Sequence, residues 1–201
     1  MKKFVLPFLF TLSIPGVVNA DSLAQSLLHC DSGFFNRLYE QRNQIQKLAP
    51  VKSDNAHHTW FVPPEKNNGT VWFAEPLKID DLAASGYYVQ QNDLGDMGKY
   101  YYWGLVFDNS PQAVMAALPE VNWHQEEDEF SANAMIKTPE DKEWKINTGA
   151  AGGIAPAKGT IEKVALLSVS NGKTKLLCSV QGSVDNKVLG SLRPDLSGIT
   201  K

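Results

Sequence analysis

Two hydrophobic periods divide the chain. The first is helical. Leu23, Leu27 and Leu28 share a face behind Ser22-Leu23-Ala24-Gln25, a capping-box pattern in which the Ser22 hydroxyl accepts from the Gln25 amide and the Gln25 side chain reaches back. Phe34, Phe35, Leu38, Ile45 and Leu48 then recur among Arg37, Glu40, Arg42, Gln44 and Lys47, with Asp31 or Ser32 as cap and Pro50 as stop. These segments predict two amphipathic helices, each with one side on a core.

From His57 the period drops to two. Residues 58–62 and 70–74 read as strands joined across Asn68-Gly69, which tolerate the positive φ of a hairpin turn. Lys78 to Ser85 reads as a short helical turn closed by Gly86, Tyr87–Gln90 as a third strand and Lys99–Phe107 as a fourth. Asn109 or Ser110 caps a helix with Pro111 in its first position and Val114, Met115 and Leu118 as its apolar stripe. Val121 to Ile136 reads as one or two strands around an acidic bend, and Thr138 to Pro156 as irregular, with Gly149–Gly153 as a flexible loop. The strongest signal is a hairpin: Thr160–Ser170, then Asn171-Gly172 in a type I′ turn, then Lys173–Gln181. It sets Ala165, Leu167 and Val169 on one face and Leu176, Cys178 and Val180 on one face of the returning strand. After Ser183 the alternation weakens, and residues 183–201 are expected to form a loosely ordered tail.

This order of elements predicts an α+β fold: an antiparallel β-sheet of about 6–7 strands with helices packed mainly on one face. One domain over residues 21–182 suffices for a chain of 201 residues.

The N-terminus changes the setting. Lys2 and Lys3 precede an apolar run from Phe4 to Ile14, and Val18-Asn19-Ala20 puts small residues at −3 and −1 of a cleavage site. The run is too short for a bilayer, which needs about 20 apolar residues. Residues 1–20 are therefore expected to be a signal peptide cleaved after Ala20, leaving a periplasmic or secreted chain with no transmembrane segment. Loss of the two lysines moves the formal charge from −3 to −5, which gives no electrostatic reason to bind nucleic acid. In an oxidising compartment Cys30 and Cys178, the two cysteines of the chain, are expected to pair. The bridge would tie the first helical region to the last strand.

Candidate chemistry is sparse. Gly172-Lys173-Thr174 resembles the end of a phosphate loop, but Leu167 stands where that loop needs a glycine. Asn68-Gly69-Thr70 fits an N-glycan acceptor and, equally, a hairpin turn. Asp93 to Gly98 lacks the aspartate spacing and distal glutamate of a calcium loop. Of the histidines, His124 beside Glu126 offers the nearest approach to a metal site, with His57 or His58 needed to complete it. No cofactor and no metal are expected.

Aromatics concentrate between Trp60 and Phe107. In the fourth strand Tyr101, Trp103, Leu105 and Phe107 form one face, the expected core. Tyr100, Tyr102, Gly104 and Val106 form the other. Tyrosines pair an apolar body with a wet hydroxyl and suit recognition, and a glycine between them leaves room for an approaching group. The ordinary alternative is that helices cover this face too, with the hydroxyls at the rim.

The function expected from these features is a non-enzymatic periplasmic binding protein, an inhibitor or immunity protein against a toxin or hydrolase. Its partner would be another envelope protein, contacted through Tyr100, Tyr102, Trp123, Glu126, Glu127, Asp128 and Glu129. Two other classes stay open: a cell-envelope hydrolase using carboxylates or a weak metal site near His124, and an envelope structural or assembly module.

Overall fold

The structure is a computed structural model that describes residues 22–65, 68–150 and 156–197. The signal pattern of residues 1–20 and part of the Gly149–Gly153 stretch lie outside the described residues.

The caps written in the sequence form. Ser22 Oγ accepts from Gln25 N at 3.3 Å and Gln25 Oε1 from Ser22 N at 2.7 Å, starting α1 (Leu23–Leu27). The next predicted helix is two helices, α2 (Gly33–Glu40) and α3 (Arg42–Ile45), separated where Gln41 leaves helical geometry. Ser110 accepts from Ala113 N at 3.3 Å and opens α4 (Pro111–Ala116). The expected loose tail differs most from the structure. Asp185 caps α5 (Asn186–Leu192) by accepting from Val188 N at 2.7 Å, and Val188, Leu189 and Leu192 are buried.

The strands are β1 (Val51–Ser53), β2 (Thr59–Phe61), β3 (Gly69–Ile79), β4 (Leu82–Asp93), β5 (Lys99–Phe107), β6 (His124–Glu126), β7 (Glu129–Lys137), β8 (Lys145–Ile146), β9 (Ile161–Ser170) and β10 (Lys173–Gly182). β1 and β2 form a separate antiparallel pair, so the expected hairpin between residues 58–62 and 70–74 does not exist. β3 pairs with β4 instead. The helical turn expected over Lys78–Ser85 is the tip of that hairpin. Ile79 faces Leu82, and Asp80 takes a φ of 52° in the turn. Leu77, Ile79, Leu82 and Ala84 are all buried, a two-residue alternation that a two-residue turn carries across.

The main sheet has eight antiparallel strands in the order β3-β4-β5-β10-β9-β7-β6, with β8 also on β7. The type I′ hairpin is present as expected: Ser170 pairs with Lys173, and Asn171 and Gly172 take φ of 53° and 72°. The expected core face also holds. Trp103, Leu105, Phe107, Leu176, Cys178 and Val180 join one buried cluster. Buried side chains of all five helices belong to that same cluster, among them Leu27, Phe34, Ile45, Val114 and Leu189. Phe35 stacks on Trp103 at 6.4 Å, and Phe34 on Tyr87 at 6.2 Å. The Cys30–Cys178 disulfide joins the end of the α1 turn to β10. The described helices thus cover one face and leave the other without a helix. No described helix is long and apolar enough to cross a membrane.

Gly104 is explained by this packing. A Cβ there would lie 2.1 Å from the Leu176 carbonyl oxygen, so the glycine admits the neighbouring β10 backbone rather than a ligand, as the sequence had suggested.

Tyr87 is fully buried, and its hydroxyl has no hydrogen-bond partner among the described residues. Burial pushes its pKa well above the usual 10, with Asp195 adding to the rise. The folded state therefore holds this proton more tightly than the unfolded state does. The stability at stake is intact below pH 10 and falls as pH rises above it. Tyr87→Phe should be neutral, or stabilising by about 1 kcal/mol, at pH 7. It should also flatten the alkaline loss of stability in urea titrations run from pH 9 to 12.

Candidate functional site: the uncovered sheet face

Because side chains alternate across a strand, the residues opposite the core set come together on the second face. The register puts Gln90 opposite Tyr102 and Tyr102 opposite Ser179. It likewise puts Leu177 opposite Leu166 and Gln181 opposite Glu162. The result is a groove of about 310 Å³ across β4, β5, β10, β9 and β7. Its walls include Tyr88, Gln90 and Tyr102 on one side and Glu162, Val164 and Leu166 on the other, with Leu177 on the floor. Val106, Val164 and Leu177 are buried, yet they lie outside the helix-covered cluster. The size falls at the lower end of the range of small-molecule sites, and the lining mixes apolar and aromatic side chains with a comparable share of polar ones.

One end of the groove is built around Glu162, only 3% exposed. Its Oε1 accepts from Gln181 Nε2 at 2.6 Å, and its Oε2 accepts a short hydrogen bond from Asn147 Nδ2. The other end holds Lys175, whose Nζ sits 4.0 Å from the centre of the Tyr88 ring. Burial lowers the Lys175 pKa and raises that of Tyr88, whose hydroxyl donates a short hydrogen bond to Gln90 Oε1. Burial also raises the pKa of Tyr102, against an opposing hydrogen bond with Ser179. Both phenols are therefore neutral donors at physiological pH.

The residues expected to make contact do not form one surface. Tyr102 and Glu129 line the groove. Tyr100 shares their face but is 9% exposed and does not line it. Trp123 is half-buried against the helix-covered core. Glu126, Glu127 and Asp128 are exposed at the β6–β7 turn, the acidic bend that the sequence predicted. His124 is exposed on the edge strand β6, while His58 Nδ1 pairs with Asp54 Oδ2 at 2.8 Å and His57 stacks on Tyr39 at 4.9 Å, both beside the separate β1–β2 pair. Among the described residues no group of three or more His, Cys, Asp or Glu side chains is arranged to hold a metal ion.

Other sequence candidates have structural roles. Lys173 pairs with Asp108, and the Thr174 hydroxyl donates to the Asn109 carbonyl. Asn68 Oδ1 accepts from Gln91 N at 3.0 Å, fastening the start of β3 to β4.

Sequence reasoning missed Tyr88, Gln90, Glu162, Lys175, Leu177 and Gln181. A signal for them exists. The second face of the β9–β10 hairpin reads Glu162, Val164, Leu166, Ser168 against Lys175, Leu177, Ser179, Gln181, neither apolar enough for a core nor charged enough for an open surface. No protein-family model, curated protein or solved structure matches this chain.

Proposed function

We propose that this chain is an exported binding protein without a catalytic step, and that its uncovered sheet face holds a small ligand of mixed polarity. The observation that carries this reading is the groove itself: a 310 Å³ hollow with an apolar floor and convergent polar groups, on the sheet face opposite the helices. Export rests on the signal pattern of residues 1–20 and is supported by the disulfide.

A hydrolase that used the two groove carboxylates would need them within about 10 Å of each other. Glu129 faces Ser168, six residues along β9 from Glu162, or about 20 Å of strand. The inhibitor or immunity reading keeps the exposed acidic turn Glu126–Glu129, but Tyr100 and Trp123 are not presented with it.

Thermal-shift measurements with panels of amino acids, short peptides, saccharides and nucleosides test the proposal. At least one class should raise the melting temperature of the wild type and leave a Leu177→Trp variant, whose indole fills the groove, unmoved. Ser168→Trp at the rim serves the same purpose if Leu177→Trp fails to fold. No shift from any class, or equal shifts in the wild type and the filled variants, would remove the groove as a binding site.

A further inference from the structure

Cross-strand register turns the groove into an ordered sequence of environments. Asn92, Tyr100, Gln181 and Glu162 lie in one row across β4, β5, β10 and β9. Tyr88, Gly104, Leu177, Leu166 and Ser131 form a row near the middle, extended into β7. Val106, Lys175, Ser168 and Glu129 form a row at the far end. The groove is thus carboxylate and amide at one end, apolar in the middle and ammonium at the other.

Neither charged end has a counter-ion among the described residues. Glu162 is buried, yet both of its hydrogen-bond donors are neutral amides, and no lysine, arginine or histidine among the described residues pairs with it. Neutral amides satisfy this carboxylate without balancing it, so an arriving cation would add a charge-assisted hydrogen bond that nothing described there supplies. Lys175 has the reverse need. Its ammonium lies over the Tyr88 ring and pairs with no carboxylate among the described residues, and its partial burial lowers its pKa. Glu129, the other carboxylate in the lining, is exposed and sits two strands away from Lys175, roughly 10 Å across the sheet.

Length selects the ligand. The rows of Glu162 and Lys175 are six residues apart along the hairpin, about 20 Å of strand. Gln181 of its own row holds Glu162 in place, while Lys175 leans inward over the Tyr88 ring, which leaves on the order of 15–20 Å between the charges. Ion-pair contacts take up about 3 Å at each end, and an extended peptide spans about 3.5 Å per residue, so three or four residues fit.

Resting on the binding function proposed above, we propose that the groove recognises a free peptide of three or four residues, its amino terminus against Glu162 and its terminal carboxylate against Lys175. The apolar middle, Leu166 and Leu177 with the Tyr88 and Tyr102 rings, takes the central side chains. Free termini are read at both ends, so a longer chain or a blocked one is rejected.

Calorimetry with alanyl-leucyl-alanine, its N-acetyl form and its C-terminal amide tests the assignment, with maltotriose and octyl glucoside as uncharged probes. The wild type should bind the free peptide and lose tenfold or more in affinity with either blocked form. Glu162→Gln should weaken the free peptide tenfold and erase the penalty of acetylation. Lys175→Met should do the same for amidation. Melting curves establish that each variant is folded, and the two variants act at opposite ends, so either one alone keeps the test decisive. Equal binding of free and blocked peptides, or indifference to both substitutions, would overturn the assignment. If maltotriose or octyl glucoside binds and Leu177→Trp expels it while the peptide does not bind, the peptide is wrong and the groove stands. If no probe binds, the peptide assignment fails, and the groove falls with it once the broader panels are also silent.

Discussion

Replacing both cysteines in Cys30→Ala/Cys178→Ala should remove about 5 kcal/mol of unfolding free energy. The bridge closes a loop with a sequence separation of 148 residues, and in the chain-entropy model a loop of that length confines the unfolded chain by about that amount. For a domain of this size the melting temperature should fall by roughly 10–20 °C. The location sharpens the expectation. Cys178 lies in β10 between Leu177 and Ser179, whose side chains point into the second face, while its own sulfur points back to α1. The bridge therefore anchors the strand that carries Lys175, Leu177 and Gln181. Guanidinium titrations of the oxidised wild type and the double variant measure the difference. A loss under 1 kcal/mol would mean that packing of α1 and α2 alone holds the helical layer.

Asp195→Ala should cost about 3–5 kcal/mol, more than any exposed ion pair in the structure. Arg193 is 2% exposed, and its guanidinium makes two bonds to Asp195, Nε to Oδ1 at 2.8 Å and Nη2 to Oδ2 at 2.6 Å. The guanidinium also lies 4.8 Å from the centre of the Trp103 ring. Removing the carboxylate leaves a buried cation with only a ring face for compensation. The double substitution Arg193→Met/Asp195→Leu removes the unpaired charge and should recover most of the loss. Failure to recover would mean that the Arg193–Trp103 contact, rather than charge pairing, fixes α5 on the sheet. The pattern matters for Lys137–Trp144 and Lys163–Trp144 as well, at 4.9 and 5.2 Å, where the cations are less deeply buried and the effects should be smaller.

Local chemistry made part of the fold legible. Ser22 with Gln25, Ser110 before Pro111, and Asn171-Gly172 each name their own geometry, because a cap or a positive-φ turn is settled within four residues. The core face of β5 was legible too, since Tyr101, Trp103, Leu105 and Phe107 alternate without interruption. What stayed hidden depends on pairing at a distance. Residues 59–61 look as ready to pair with 70–74 as with 51–53, and only the packed structure decides. Asp80-Asp81 carries no glycine or asparagine, so its turn did not announce itself. Helix α5 has only seven residues, too few to be stable alone, and owes its form to burial of Val188, Leu189 and Leu192.

The groove was half legible for the same reason. Tyr102 was visible because one strand sufficed to place it opposite Trp103. Glu162, Lys175 and Leu177 came to it only through the order β5-β10-β9, which joins the fourth predicted strand to the last hairpin. That order is set by side-chain packing between distant segments, which has no local signature. Gly104, conversely, was visible but misassigned, because a glycine in a strand looks the same whether a ligand or a backbone approaches it.

Binding on this sheet face is tested most directly by backbone and side-chain NMR of the isotope-labelled protein, titrated with the best-binding ligand from the panels above. Shift changes should concentrate at Tyr88, Gln90, Tyr102, Glu162, Lys175 and Leu177, with the β6–β7 turn and the helical layer silent. Changes confined to Glu126–Glu129 and Trp123, with the uncovered face unmoved, would contradict binding there.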